Sequence, residues 1–199
     1  MSKSGVARPL KYNDDVVLDR ATDLFWKHGS DAVTIRDLEA ALDLQAPSIY
    51  RRFASKDQLL VQCLDHYVEQ TVSGRVRYFF DDAVDPLVGL RAFFTSVLRQ
   101  HPDEDRLRGC LLTTTASRAD LDPDVRAAVA RGFETIEVAF RSQIERGITG
   151  GRIRPDLSVE ATAKALLMSF QGLLLLARNG ADDLEASVEA TFAALALPR

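Results

Sequence analysis

The sequence predicts an all-α protein of about nine helices, a three-helix N-terminal domain followed by a larger helical one. Three observations lead there. Apolar residues recur at helical spacing in every segment with a clear period, and no run alternates with the period of two of a half-buried strand. Two signatures, Thr34 with Asp37 and Ser55 with Gln58, stand just ahead of apolar runs. In each, a hydroxyl and a side chain three residues on satisfy free N–H groups at a helix start. Two Asp-Pro pairs, Asp85-Pro86 and Asp122-Pro123, set a capping acid before a proline whose missing N–H falls in the first turn, where it has no intrahelical partner.

Taken in order, the first helix covers Asp14–His28, groups Val17, Ala21, Leu24 and Phe25, and ends at Gly29. A short helix then runs to Leu42, with Ile35, Leu38 and Leu42 on one face. Another short helix covers 46–52, with Ala46, Ile49 and Phe53 turned to a core and Pro47 tolerated in its first turn. The fourth, 56–80, is the one long helix leaving this unit, with Gly74 a weak point. Further helices are expected at 86–100, 106–117, 123–148, 159–177 and 182–197, with Gly150, Gly151 and Pro155 breaking the chain between two of them. There is no internal repeat and no low-complexity tract. The organisation is residues 1–55 as one domain and 56–199 as a second.

The stretch 42–60, LDLQAPSIYRRFASKDQLL, carries the chemistry. Two short helices joined by a tight turn and flanked by caps form a helix-turn-helix, whose second helix enters a DNA major groove. On that helix Pro47, Ser48 and Arg51 lie opposite the core face, with Tyr50 and Arg52 on the flanks. Arg51 has the fork that matches guanine O6 and N7, and Ser48 suits a base edge or a phosphate. Tyr50, Arg52 and Lys56 have the reach of phosphate contacts, and Lys56 sits in the first turn of a helix whose free N–H groups attract anions. A lone helix with two arginines reads more simply as a solvated surface helix; the tandem arrangement and its caps favour DNA.

This region resembles the DNA-binding domain of the TetR family of bacterial transcriptional regulators, from Val16 to Leu60. The resemblance rests on Leu24, Phe25 and Gly29; on Thr34, Ile35 and Leu38; on Ser48, Ile49, Tyr50 and Phe53; and on Ser55, Lys56, Asp57 and Leu59. It implies that Thr34, Arg36, Tyr50, Arg52 and Lys56 hold phosphates, and that Ala46, Pro47, Ser48 and Arg51 face bases. The chain departs from the family pattern at five places. Glu39 stands where a small residue is usual, Leu42 for alanine, Asp43 for glycine, Gln45 for a capping Ser or Thr, and Ser30 for an aromatic. Beyond residue 60 the similarity continues more weakly in Arg108–Leu112, Asp122–Arg126, Gly151–Asp156 and Gln171–Ala177, and implies the helical architecture of the family's regulatory domain.

Composition fits a regulator and excludes other classes. At 46% hydrophobic and 27% charged residues, the 199-residue chain can bury a real core. Its first residues carry no apolar signal segment, and two cysteines without CxxC spacing suit a reducing cytoplasm. The net charge of −4 is unevenly spread: residues 1–60 hold nine basic and nine acidic side chains, and the remainder 16 and 20. Basic residues gather at Arg36, Arg51, Arg52 and Lys56, a local face on an acidic protein. Lys3, Arg8 and Lys11 form a loose basic arm. The histidines His28, His66 and His101 lack metal-ligand spacing, and no HExxH, GxSxG or P-loop occurs. No enzyme activity, metal or cofactor is expected.

The C-terminal domain is read from packing. Residues 165–177 are apolar almost all round, too short for a membrane span, so something must cover the outer face. The last helix has its own stripe, and together they predict a two-fold homodimer through Leu173, Leu174, Leu184, Val188, Phe192 and Leu195. A dimer would set two recognition helices on the half-sites of a palindromic operator. The domain is expected to bind a small, largely apolar effector, with His66, Tyr67, Thr113, Thr114 and Gln171 as polar handles and Phe93, Phe94, Phe133, Phe140 and Met168 as walls; each is also an ordinary core candidate. Cys110 is an outside candidate for redox sensing. The reading is a cytoplasmic DNA-binding regulator, a repressor released when effector moves the fourth helix. The alternative is a helical ligand-binding protein without specific DNA binding.

Overall fold

The computed structural model describes residues 14–81, 83–98 and 109–197. The first helix, α1 (Asp14–His28), buries Val17, Ala21 and Phe25, and stops where Gly29 adopts φ +80° and its N–H bonds the Phe25 carbonyl at 2.9 Å. Helix α2 (Ile35–Leu42) starts on the complete Thr34–Asp37 capping box. Helix α3 (Ala46–Phe53) turns Ile49 and Phe53 inward. Helix α4 (Lys56–Tyr67) runs through a π-helical stretch, Val68–Ser73, directly into α5 (Gly74–Phe80). The weak point expected at Gly74 is thus a change of helical winding just before it.

At the start of α4, Ser55 accepts the Gln58 N–H at 3.0 Å. The reciprocal half of the expected capping box is absent: the Gln58 amide instead donates to Asp124 at 2.7 Å, joining α4 to a later helix. Helices α6 (Pro86–Thr95), α7 (Leu111–Ala116), α8 (Pro123–Thr149), α9 (Val159–Arg178) and α10 (Leu184–Ala193) complete the described elements. α6 is shorter than expected because the Thr95 and Ser96 hydroxyls bond back to the Arg91 and Phe93 carbonyls and the chain turns. α10 is also shorter: the chain leaves it to make an antiparallel bridge between Ala196 and Ile153, with the Arg154 N–H on the Leu195 carbonyl at 3.1 Å. The basic arm, His101 and the start expected for the helix at 106–117 lie outside the described residues.

One hydrophobic core runs from Val17 to Leu195. α4 belongs to both halves of it: Leu60, Cys63 and Leu64 are buried, and the Thr22 hydroxyl of α1 donates to the Cys63 carbonyl at 3.4 Å. The 27-residue α8 is the spine of the second half, packed against α4, α6 and α9. There Phe80, Phe93, Phe94, Phe140, Phe170 and Phe192 form a continuous aromatic cluster, with centroids 4.8–6.2 Å apart. α5 and α6 approach so closely that a Cβ at Gly89 would lie 2.8 Å from the Phe79 carbonyl oxygen.

The two C-terminal helices correct one expectation. Leu173, Leu184, Val188, Phe192 and Leu195 are buried inside the chain, and Leu174 is partly buried against the same core. The apolar residues left in the open on α9 are Met168, Leu175 and Leu176, at 69%, 56% and 49% exposure. The apolar stripe of α10 shows that one face is buried but not against what, and the chain's own core has taken its larger residues. α9 is long and apolar enough to cross a membrane by length and composition alone. Its inner face, however, packs on α8, and its Lys164 pairs with Glu137 of α8 at 2.5 Å.

Candidate nucleic-acid interface

Two backbone corners set the angle of α3. Asp43, ending α2, takes the left-handed conformation (φ 54°, ψ 41°) that a glycine adopts without steric cost and an aspartate tolerates. Ala54, between α3 and α4, sits at φ 62° and ψ −46°, and the Ser55 N–H closes a three-residue turn on the Phe53 carbonyl at 2.7 Å. That turn is the strained γ form, on the order of 1–3 kcal/mol for a residue with a Cβ. The burial of Ile49 and Phe53 before it and of Leu59 and Leu60 after it holds it.

The weak cap expected at Gln45 has a substitute. Gln45 makes no side-chain cap bond. Glu39, the residue that replaces a small one in α2, instead reaches seven residues along and accepts the Ala46 N–H at 2.6 Å. Its carboxylate supplies both an acceptor and a favourable charge at the helix N-terminus. Two departures from the family pattern thus compensate each other. Ser30, the departure after Gly29, is buried with no partner for its hydroxyl among the described residues.

The structure sorts the basic residues. Arg36 and Arg51 are exposed and pair with no carboxylate among the described residues. Arg52 forms an ion pair with Asp14 at the start of α1 and lies 5.5 Å over the Phe53 ring. The Lys56 ammonium donates to the carbonyls of Ser30 and Val33, both at 2.8 Å, which clamps the α1–α2 loop onto α4 and leaves one of its three N–H groups. Pro47 and Tyr50 are exposed, Ser48 and Ala46 half-buried, and Thr34, also exposed, has its hydroxyl engaged with Asp37. Arg51 therefore stands on the outer face of α3 beside Pro47 and Ser48, and Arg52 and Lys56 are braced at its edges.

Behind this unit, the expected effector residues divide. Phe93 and Phe140 are closed within the aromatic cluster, Phe94 is buried with an edge on a groove between α9 and α10, and Met168 points outward from α9. His66 bonds Asp19 of α1 at 2.6 Å, and the Thr114 hydroxyl returns to the Cys110 carbonyl. Phe133 is half-buried. The remaining polar residues do come together: the Tyr67 hydroxyl meets the Cys110 Sγ at 3.9 Å, and Thr113 donates to Gln171 at 2.6 Å. Burial pushes the Tyr67 phenol well above its usual value, with Cys110 adding to the effect. It pushes the Cys63 thiol up to about 12, so Cys63 is an inert core residue.

The sequence reading missed Arg75, which faces this polar group. Its signal was present: Val72, Arg75 and Phe79 recur at i, i+3 and i+7, which puts an arginine in an apolar stripe. Also missed were the straps from this region to the DNA-facing unit. The Trp26 indole donates to the Gly109 carbonyl at 3.3 Å, and Arg118 forms ion pairs with Asp31 at 2.5 Å and Asp57 at 3.6 Å. Contacts between residues 61 to 87 positions apart have no periodic trace.

Comparison with known proteins agrees with this geometry. Residues 17–63 match the model of bacterial regulatory proteins of the tetR family, and residues 86–192 that of the tetracyclin repressor-like C-terminal domain. The HTH-type transcriptional repressor ComR of Escherichia coli K12 is 26% identical over 184 residues, 90% of this chain and 86% of that protein. The repressor DhaR of Mycobacterium sp. strain GP1 is 26% identical, over 80% of this chain and 79% of its own. Among solved structures, a cysteine mutant of the TetR family regulator CifR complexed with 26-bp operator DNA superposes with a TM-score of 0.79 at 26% identity, covering 95% of this chain and all of that one. Reduced E. coli NemR shares the fold, with a TM-score of 0.82 at 17% identity over 94% and 99% of the two chains. With family models covering both halves, the chain belongs to the TetR family of bacterial transcriptional regulators.

Proposed function

We propose that the protein is a cytoplasmic, homodimeric repressor that binds a palindromic operator through α3 and is released by a small effector bound in the second domain. The observation that carries this reading is the outer face of α3. Arg51 is exposed and has no acidic partner among the described residues, beside Pro47 and Ser48, while Arg52 and Lys56 are fixed at the margins by Asp14 and two loop carbonyls. Arg51 and Ser48 read base edges; Thr34, Arg36, Tyr50, Arg52 and Lys56 position the phosphates. A second copy covers the outer face of α9, where Met168, Leu175 and Leu176 are exposed beside a 200 Å³ groove between α9 and α10. The proteins it resembles are transcriptional regulators, and nothing in the site points to catalysis.

Release requires an effector that favours the conformation binding DNA less well. α4 is one lever, and the Trp26 and Arg118 straps give the α7 region a second hold on α1 and its loop.

Selection from random double-stranded DNA at fixed salt tests the reading. The expected result is an inverted repeat with half-site centres roughly 34–36 Å apart or a multiple of that. Arg51→Ala should then cost about 1–3 kcal/mol and relax preference at one base pair, whereas Lys56→Ala should weaken all sequences alike. Affinity that stays in the non-specific range of about 10⁻⁴–10⁻⁶ M on every sequence would favour a ligand-binding protein without an operator.

A further inference from the structure

Arg75 is partly buried just after the π-helical stretch and has no carboxylate partner among the described residues. Arg52, Arg77, Arg91, Arg118, Arg131 and Arg152 pair with acids, and the part-buried Arg146, which pairs with none among the described residues, spends its guanidinium on the Phe80 and Ala83 carbonyls and the Gln143 amide oxygen. A guanidinium withdrawn from water without a counter-charge is unfavourable, so an arginine serving only the fold would be expected to have an acid or to spend its donors on both nitrogens, as Arg146 does.

Its plane is fixed. Nη2 donates to the Phe93 carbonyl at 3.1 Å and the Ser96 hydroxyl at 2.7 Å, which uses both of that nitrogen's hydrogens. The guanidinium carbon lies 4.9, 5.9 and 6.0 Å from the centroids of Phe93, Phe79 and Phe170. Nε–H and the two Nη1 hydrogens have no acceptor among the described residues; with Nη2 engaged they cannot act as a parallel fork, and an anion would accept from one of them singly, as a charge-assisted bond. The groups nearby do not neutralise it. Burial raises the Tyr67 phenol, so it is an uncharged neighbour at pH 7, and the same burial draws the Arg75 value down without discharging it. From Tyr67 the polar group runs through Cys110 to Thr113 and Gln171, whose Nε2 is buried with no acceptor. Donors exceed acceptors throughout, and the formal charge is positive.

We propose that Arg75 is an anion anchor, taking the carboxylate or sulfonate of an amphipathic organic effector whose apolar body lies against the half-buried Phe79. The inference rests on the effector-binding reading and narrows its chemistry: a purely apolar guest would leave the guanidinium as it stands, whereas an organic anion supplies the missing counter-charge. The position suits a regulator, since Arg75 lies on α5, continuous with α4, and its Nη2 bonds tie that helix to α6.

The test compares two fluorescent probes that share a ring system and differ by one sulfonate, 8-anilinonaphthalene-1-sulfonate and N-phenyl-1-naphthylamine, with the full-length protein. Wild type should bind the anionic probe more tightly than the neutral one. Arg75→Gln should weaken the anionic probe about tenfold or more and leave the neutral probe within about twofold, which also shows that the variant is folded. Arg75→Lys should keep part of the preference. Should Arg75→Gln lose both probes, the lysine variant decides: retained preference for the anion supports the anchor, and none overturns it. An unchanged preference in Arg75→Gln, or a wild type that binds only the neutral probe, overturns the anchor and leaves the effector reading standing. A wild type that binds neither probe overturns both.

Discussion

The α1–α3 unit and the α9–α10 pair solve the same problem, a short helix that must bury one face, by opposite means. In the first, the starts of α2 and α3, and of the α4 that follows, are closed by nearby side chains: Thr34 with Asp37 at α2, Glu39 at α3, Ser55 at α4. In the second, α9 starts on Ser158, but α10 begins at Asp183 with no side-chain cap bond among the described residues, and its position comes from Leu184, Val188 and Phe192 packed on the aromatic core. Local chemistry places the DNA-facing helix to within a hydrogen bond. Packing places the C-terminal helices, and leaves an apolar surface over.

That surface gives the largest effect expected. Leu176→Glu sets a charge on the outer face of α9, which is half-exposed in the single chain and so costs the protomer little. If a second copy covers this face, sedimentation should show a monomer, and operator affinity should fall about 100-fold or more as the linked second half-site is lost. A dimer of unchanged stability would place the interface elsewhere.

Two glycines sharpen the contrast between inner and outer faces. A Cβ at Gly89 meets the Phe79 carbonyl oxygen at 2.8 Å, an atom that moves only with its helix. Gly89→Ala should destabilise the protein by about 1–3 kcal/mol in denaturant titration. Gly172 on α9 has nothing within 4 Å of the same position, so Gly172→Ala should stabilise the protomer by roughly 0.5–1 kcal/mol through helix propensity. Equal effects at both sites would mean that α5 and α6 do not make the close approach described.

How much was legible follows the same division. Asp14–His28 and the starts at Lys56, Pro86, Pro123 and Val159 were readable to the residue because caps, prolines and periodicity act within one turn. The outward face of α3 was readable because Pro47, Ser48 and Arg51 lie within five residues opposite Ile49 and Phe53. Leu184, Val188 and Phe192 were correctly seen as a stripe but assigned to a partner; a stripe shows that a face is buried, not against what. The role of Glu39 required knowing that α2 folds back on α3, and Arg75 escaped because a charged residue at a stripe position shows neither its burial nor its partners until the neighbouring helix is placed. Neither the straps to Gly109 and Arg118 nor the aromatic closure around Phe94 has a local signature.

The substitute cap tests how far local chemistry sets the recognition helix. Removing it with Glu39→Ala should cost about 0.5–2 kcal/mol, with operator affinity falling in step as α3 frays at its start. Gln45→Ser in that background restores the usual capping hydroxyl and should return most of the loss. Gln45→Ser alone should add less, since its hydroxyl would take the Ser48 N–H at a helix start that Glu39 already holds through the Ala46 N–H. Additive behaviour of the two changes would show that they do not serve the same helix end.

The smallest effect expected is acid sensitivity, and both regions contribute to it for related reasons. Asp37 is held below its ordinary 3.8 by the Thr34 hydroxyl and N–H, and Asp156 below the same value by its bond to Arg154. Each carboxyl binds its proton less readily folded than unfolded. The stabilisation it adds is therefore complete above 3.8 and is lost as pH falls through the depressed folded value. Both groups are exposed, so screening keeps the contribution modest. The only tryptophan, Trp26, packs edge-on to Tyr67 between α1 and α4, and its fluorescence follows the DNA-facing unit. Denaturant midpoints read from it should fall from pH 5 to pH 3. Asp37→Asn should flatten that slope while Asp156→Asn leaves it unchanged, because only the first closes a helix of the unit the tryptophan reports. A slope that responds equally to both would mean that the two regions unfold as one and that the local caps have no separate role.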